Sequence, residues 1–119
     1  MEENKKYDLE ERTFLFANNV RLFVKKLSNT PANTEDSKQV IRSSGSVAAN
    51  YIEENDALGI KDKLMRMKIS RKEARESKLW LRLLDTSENA ALEQERKQLQ
   101  QEAHELMLIF GAIINKLNL

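Results

Sequence analysis

Basic side chains are the residues of this chain whose type and spacing point to a chemistry. Between positions 60 and 84 the sequence has nine lysines and arginines against three acidic residues, although the net charge of the whole chain is only +1. At about 100° per residue on a helix, five of these cations share one side, namely Lys61, Lys68, Lys72, Arg75 and Arg82. Such a ridge could follow a phosphate backbone. The alternative is a solvated helix face that binds nothing.

No motif for reading bases accompanies these cations. The sequence has no helix-turn-helix spacing, no zinc-finger pattern and no aromatic strand platform of the kind that RNA-binding sheets use. Any binding to RNA or DNA is therefore expected to be weak and independent of nucleotide sequence.

Arg42, Glu53 and Glu76 are polar residues close to the predicted packing faces of helices. Paired carboxylates inside a helical bundle can hold metal ions or act as acid and base, but such sites usually contain a Glu-x-x-His pattern, which is absent. We expect instead that Arg42 pairs across helices with Glu53 or Glu76, because a half-buried charge needs a partner. No catalytic residue, metal ion or cofactor is predicted, and the chain is not expected to be an enzyme.

His104 is the single histidine, and no serine or aspartate lies at a spacing that would make it a general base. We interpret it as a surface or boundary residue.

The absence of cysteine excludes disulfides, thiolate metal sites and a cysteine nucleophile. The sequence shows neither an N-terminal apolar signal region nor a long uncharged apolar stretch. A cytoplasmic protein without membrane contact or small-molecule substrate is predicted.

Composition and apolar spacing favour helices throughout. Three glycines and one proline are too few for a turn-rich β architecture. Helices are predicted over about 8–27, 35–55, 60–84 and 88–117, within one domain that spans residues 1–119. Asp8 is the expected cap of the first helix, Asn33 or Thr34 that of the second, and the turn at 85–87 that of the fourth. Short breaks favour antiparallel neighbours, so the fold class is an all-α, up-down-up-down four-helix bundle.

The centre of the second helix is built from small residues, with Ser43, Ser44, Gly45 and Ser46 in succession. The single glycine has no strand before it and no Gly-Lys-Ser/Thr after it, so a phosphate-binding loop is disfavoured. Small side chains predict instead that the backbone of another helix approaches closely here.

The third helix has more apolar surface than one packing seam requires. Leu64, Met67 and Ala74 are predicted to face the core, whereas Leu79, Trp80 and Leu83 lie off that line. These last three residues predict either a contact between subunits or further packing within the chain.

The segments RSSGSVAANYIEEN at 42–55 and KISRKEARESKLWLRLL at 68–84 resemble the 23S rRNA intervening-sequence proteins. The similarity covers nearly the whole chain in helix order and length, and it extends to the accessory variability determinant of diversity-generating retroelements. The resemblance implies a left-handed bundle, a ring-like homopentamer and a basic surface that binds nucleic acid. It also implies structural roles for Arg42, Gly45, Glu53 and Glu76. Trp80 is a further residue that matches the family.

The sequence thus predicts a non-catalytic, homo-oligomeric accessory protein that binds RNA or DNA through its basic third helix. The alternative is a scaffold that recognises another protein and does not bind nucleic acid.

Overall fold

The structure, a computed structural model, describes residues 8–118 and contains four α-helices in that range. They are α1 (Leu9–Val24), α2 (Pro31–Asn55), α3 (Ile60–Leu83) and α4 (Ala90–Leu117). No strand occurs among the described residues, so the all-α prediction is confirmed. None of these helices combines the length and the apolar character needed to cross a lipid bilayer.

The helix starts follow local capping chemistry. Asp8 caps α1 as predicted, because its Oδ1 accepts a hydrogen bond from the Glu11 amide at 3.3 Å. The predicted start of α2 near position 35 is wrong, because Thr30 is the cap and Pro31 takes the first helical position. Proline suits that position, since its fixed φ matches the helix and its missing N–H is not needed there.

The predicted cap of α4 is also displaced. Asn89 caps this helix, because its Oδ1 accepts a hydrogen bond from the Leu92 amide at 3.0 Å, and the turn at 85–87 precedes it. Ser87 and Glu88 adopt positive φ angles of 56° and 61° in this connection. The chain therefore needs more residues to reverse direction than the sequence pattern indicated.

Asn33 has a different role from the predicted helix cap. Its side chain is buried and joins two connections of the bundle, since Oδ1 accepts from the Asp85 amide and Nδ2 donates to the Asp85 carbonyl, both at 2.9 Å. Nδ2 also donates to the Ser28 carbonyl at 3.2 Å. One side chain thus fixes the α1–α2 connection against the α3–α4 connection.

Each helix is antiparallel to the two helices that it packs against, as the up-down-up-down prediction requires. The residue pairs that establish these directions are Ser43 with Ser77 and Val47 with Ser70 for α2 and α3, Lys78 with His104 and Arg71 with Gly111 for α3 and α4, and Arg12 with Glu102 and Lys26 with Glu95 for α1 and α4. The four helices therefore enclose a single core.

The core contains the apolar residues expected from helical spacing. Met67, Ala74 and Leu81 of α3 are fully buried, and the apolar stripe of α4 is buried along its centre from Leu99 to Phe110. On the outer part of α1, Leu15 and Leu22 remain 44% and 46% exposed. The seam between α1 and α4 is therefore less tightly closed than the others.

Small polar residues bring α2 close to α3. The hydroxyl oxygens of Ser43 and Ser77 lie 2.7 Å apart, and the Ser70 hydroxyl donates to the Val47 carbonyl at 3.1 Å. All three serines are fully buried. The side chains are small and each hydroxyl has a hydrogen-bond partner. The two helices can therefore approach closely without leaving a buried polar group unpaired.

Gly45 lies beside this contact and faces α1. The Arg21 guanidinium passes over it, donating to the Ala17 carbonyl at 2.9 Å and to the Ile41 carbonyl at 3.2 Å. A Cβ atom on Gly45 would lie 3.2 Å from Arg21 Nη2. The glycine therefore accommodates a side chain of α1 rather than the backbone of another helix.

Arg42 joins α2 to α3 through two carboxylates. Its guanidinium nitrogens lie 3.8 Å from Glu73 Oε1 and 3.7 Å from Glu76 Oε1. The predicted partner Glu76 is present, whereas Glu53 is exposed and has no cation within 4 Å among residues 8–118. Glu53 belongs to the same helix as Arg42, about 16 Å further along its axis, and does not take part in this contact. Glu73 was not anticipated, although its side chain is only 8% exposed.

Removing the Arg42 guanidinium should destabilise the bundle, because it leaves the buried Glu73 carboxylate without its counter-charge. For Arg42→Met we expect the free energy of unfolding to fall by about 1 kcal/mol, a value reduced by the half-exposed position of the arginine. Urea denaturation followed by circular dichroism measures this change.

Lys38→Met is the matched control, since Lys38 also belongs to α2 but pairs with Glu35 on the open surface. Its effect should stay below about 0.5 kcal/mol. Adding Glu73→Gln to Arg42→Met should recover part of the loss, and equal stability of Arg42→Met and the parent protein would contradict this interpretation.

Candidate nucleic-acid interface

The outward side of α3 presents the five cations predicted from the sequence, which we call the basic ridge: Lys61, Lys68, Lys72, Arg75 and Arg82. All five are exposed. Four of them recur every seven residues, and because that interval is close to two helical turns they stay on one side of the helix. Met67, Ala74 and Leu81 form the buried line, and each precedes a ridge cation by one residue, about 100° around the helix. From first to last the ridge extends about 30 Å at 1.5 Å per residue.

The acidic residues of α3 do not neutralise the basic ridge. Glu73 and Glu76 are turned towards Arg42 on α2, and Asp62 lies 4.0 Å from Arg66 on its own helix. Among residues 8–118, no ridge cation has a carboxylate within 4 Å. The charge of the ridge is therefore exposed to solvent and available to an anion.

Three of the four acidic residues of α4 are directed towards α1 rather than α3. Glu102 and Glu105 both bind Arg12 of α1, at 2.7 Å each, and Glu95 binds Lys26 at 2.6 Å. Hydrogen bonds from Gln101 and Arg12 lower the pKa of Glu105, and the bond to Glu102 raises the pKa of Arg12. The remaining acidic residue of α4, Glu93, binds Arg96 of the same helix, and bonds from Arg96 and Thr86 lower its pKa. The negative charge of α4 thus stabilises its own surface and the α1 contact.

A groove separates α3 from α4 and has two chemically different walls. We call it the amphipathic groove, and its volume is about 900 Å³. The α3 wall consists of Lys68, Arg71, Lys72, Arg75 and Lys78. The α4 wall consists of Met107, Leu108, Gly111, Ala112 and Asn115, without a charge. Three ridge cations therefore also line this groove.

The groove was not anticipated from the sequence. Arg71 and Lys78 lie on the α4 side of α3, outside the single exposed line of cations that helical spacing predicts. The sequence nevertheless contains a pattern that indicates this wall of the groove, because every residue from Leu106 to Ile114 is apolar or glycine. Such a run on a surface helix indicates an apolar outer strip, and Leu108 is indeed 57% exposed.

His104 lies at one end of the groove region and contacts α3. Lys78 Nζ is 2.9 Å from His104 Nδ1, so the ammonium group donates and the imidazole nitrogen accepts. The histidine is half-buried, as expected for a boundary residue. No group of three or more histidine and acidic residues that could hold a metal ion occurs in the described part of the chain.

Leu79, Trp80 and Leu83 do not form one surface. Leu79 and Leu83 are 50% and 53% exposed and lie on the same outward side as the basic ridge, near the end of α3. Trp80 is half-buried and packs against the core, and its Nε1 is buried without a hydrogen-bond partner among the described residues. The grouping of Leu79, Trp80 and Leu83 is therefore corrected, because Trp80 packs against the core whereas the two exposed leucines share one side with the cations.

Comparison with known proteins identifies the fold in a solved structure. A crystal structure of a protein with unknown function from the S23 ribosomal protein family of Bacteroides thetaiotaomicron is similar to this chain, with a TM-score of 0.77 and 27% sequence identity. The similarity covers 90% of this chain and 98% of that one. No curated protein matches.

The resemblance noted from the segments at 42–55 and 68–84 extends over most of the sequence. The family model described as 23S rRNA-intervening sequence protein matches residues 5–112. This range includes all of α1, α2 and α3, with most of α4. The chain belongs to the 23S rRNA-intervening sequence protein family.

Proposed function

We propose that this chain is a non-catalytic, homo-oligomeric accessory protein that binds RNA or DNA through the basic ridge, without reading nucleotide sequence. The observation that carries the proposal is the set of five exposed cations that have no carboxylate partner among residues 8–118. Neutralising phosphates with such cations releases counterions, which supplies most of the affinity of non-specific complexes.

Contacts to phosphate fit the ridge better than contacts to bases. Its side chains are lysines and arginines on a helix that already packs on both flanks, so α3 is not free to enter a groove of the duplex as a recognition helix does. Phosphate contacts fix position but carry no sequence information. RNA is the first ligand to test, because the family description refers to 23S rRNA and the similar crystal structure is assigned to a ribosomal protein family.

Self-assembly is part of the proposal. Isolated subunits with five cations would bind weakly, whereas a ring of copies, five in the resemblance described above, would offer several ridges to one nucleic acid. Leu79 and Leu83 are the proposed contacts between subunits, because they are half exposed and lie one helical turn apart on the outward side of α3. Such a contact would cover the Arg82 end of the ridge and leave its Lys61 end to phosphate. A cysteine-free chain is also compatible with a reducing compartment, and we place the protein in the cytoplasm.

A protein-binding scaffold is the second candidate. It is favoured by one observation, the apolar α4 wall of the amphipathic groove, which phosphate contacts leave unexplained. In that case the ridge would be a solvated surface that only keeps the bundle soluble.

Removing ridge charge should weaken nucleic-acid binding and reduce its salt dependence. For the triple variant Lys68→Gln, Lys72→Gln, Arg75→Gln we expect the slope of log affinity against log salt to fall by about 2 to 3. The measurement is filter binding of a labelled single-stranded RNA and a DNA duplex, each at several salt concentrations.

The control for this experiment removes the same number of charges elsewhere. Lys25, Lys38 and Lys116 are exposed and lie outside α3, so their replacement by Gln should change the slope by less than about 1. Absence of binding by the parent protein at low salt, or equal slopes for the two triple variants, would refute the role of the ridge.

Charging the exposed leucines should disrupt assembly. For Leu79→Lys with Leu83→Lys we expect light scattering to report the mass of a single chain, because two buried ammonium groups cannot be accommodated in an apolar contact. Leu15→Lys with Leu22→Lys on α1 is the comparison, since those leucines are exposed to a similar extent. Dissociation by the α1 pair alone would move the interface to α1, and a monomeric parent protein would eliminate the assembly proposal.

A further inference from the structure

The amphipathic groove has a property that nucleic acid does not use. Its α3 wall is cationic, but its α4 wall is apolar, with Leu108 57% exposed and Ala112 also exposed. A phosphate backbone gains nothing from an apolar wall. Bases could use it only by stacking, yet no aromatic side chain lines the groove. The ligand that fits both walls is itself amphipathic, with negative charge along one edge and apolar groups along the other.

The dimensions of the groove fit an α-helix. Its lining residues extend from Lys68 to Lys78 on α3 and from Met107 to Asn115 on α4, which correspond to about 15 Å and 12 Å along the helix axes. This length accommodates between two and three helical turns. Ala112 is small and exposed, so the backbone of an added helix can approach α4 closely there, whereas the Arg71 side chain lies over the neighbouring Gly111.

Charge determines how such a helix would lie. Acidic side chains on one edge would face Arg71, Arg75 and Lys78, while leucines or isoleucines at i, i+3, i+4 and i+7 would cover Leu108 and Ala112. No acidic residue lines the groove to oppose this orientation. Leu108 would lose its contact with water, and the cations would gain carboxylate partners that the described part of the chain does not supply.

We propose that the groove between α3 and α4 binds an acidic amphipathic helix of a partner protein, which then competes with nucleic acid for Lys68, Lys72 and Arg75. These three cations belong both to the groove and to the basic ridge. A helix seated in the groove would therefore reduce the charge that remains for phosphates. Binding in the groove stands on the groove geometry alone, whereas the competition rests on the proposed function.

The two ligands can be separated because some cations serve only one of them. Lys61 and Arg82 belong to the ridge and not to the groove lining, whereas Arg71 and Lys78 line the groove and lie outside the ridge. Ala112 distinguishes the two ligands more sharply than any of these cations, since it is exposed and belongs to the uncharged wall, which phosphate does not use. Replacing it with Glu places a negative charge where the apolar edge of the helix would pack.

The experiment uses a fluorescent synthetic peptide of about 18 residues, long enough to be helical, with Glu along one edge and Leu along the next. Its control peptide has the same composition with the order scrambled, so that charge is equal and amphipathicity is lost. By fluorescence anisotropy we expect the parent protein to bind the amphipathic peptide about tenfold more tightly than the scrambled one.

Two variants locate the binding. Ala112→Glu should weaken peptide binding about tenfold, because a charge would be buried against leucines beside like-charged glutamates. Ala49→Glu on α2, an exposed alanine outside the groove lining, should change it less than about twofold. Arg71→Gln is a second groove variant, which keeps the test decisive if Ala112→Glu fails to fold. Equal affinity for both peptides, or unchanged binding by the groove variants, would overturn the proposal.

Displacement of a labelled oligonucleotide by the amphipathic peptide tests the competition. We expect displacement from the parent protein and none by the scrambled peptide at the same concentration. If the oligonucleotide does not bind at all, the proposed function fails while the peptide result still stands. If both bind without displacing each other, the shared use of the three cations is wrong.

Discussion

The close packing of α2 against α3 is the contact on which the rest of the bundle depends. Ser43 and Ser77 meet through their hydroxyl groups at 2.7 Å, and Ser70 reaches the backbone of α2. Because these side chains are small and mutually satisfied, the inner side of α3 lies fully within the core. A helix held in this way presents its long charged residues on its outward side and along its two flanks, and five of its nine lysines and arginines form the ridge.

The distribution of carboxylates then decides what that outward side can do. Acidic residues of α3 face Arg42 on α2, and most acidic residues of α4 face cations of α1. Opposite charges thus stabilise the α2–α3 and α1–α4 contacts and leave the positive charge of the basic ridge uncompensated within residues 8–118. A net charge of +1 conceals this separation, because the electrostatic potential near a surface follows the local arrangement of charge rather than the sum.

The sharing of Lys68, Lys72 and Arg75 between ridge and groove links the proposed activities of the protein. A phosphate ligand and a carboxylate ligand both require these cations, but only an amphipathic ligand gains from the uncharged wall of α4. Apolar contact is insensitive to salt, whereas phosphate contact is strongly sensitive. The balance between the two ligands would therefore shift with ionic strength, with higher salt favouring the partner helix.

The sequence identified most of the fold because helical structure is read from local information. Residues at helical spacing must share a face. The four helices, the buried stripes and the exposed cations from Lys61 to Arg82 can therefore all be predicted from the sequence. The predictions were wrong at helix ends, where the same polar side chain can either cap the helix or bind another part of the chain. Asn33 has the side chain of a helix cap, and its use as a link to Asp85 depends on a loop that is distant in sequence.

The sequence by itself determined which residues of each helix face inward and that α3 carries an excess of positive charge. Only the tertiary structure decided that Arg42 meets Glu73 as well as Glu76, that Gly45 lies beneath Arg21, and that α3 and α4 enclose a groove with one cationic and one apolar wall. The physical reason is that periodicity fixes directions around one helix axis. Contacts between helices depend also on the distance and rotation at which two axes pack, and these are set by the volumes of all the buried side chains together.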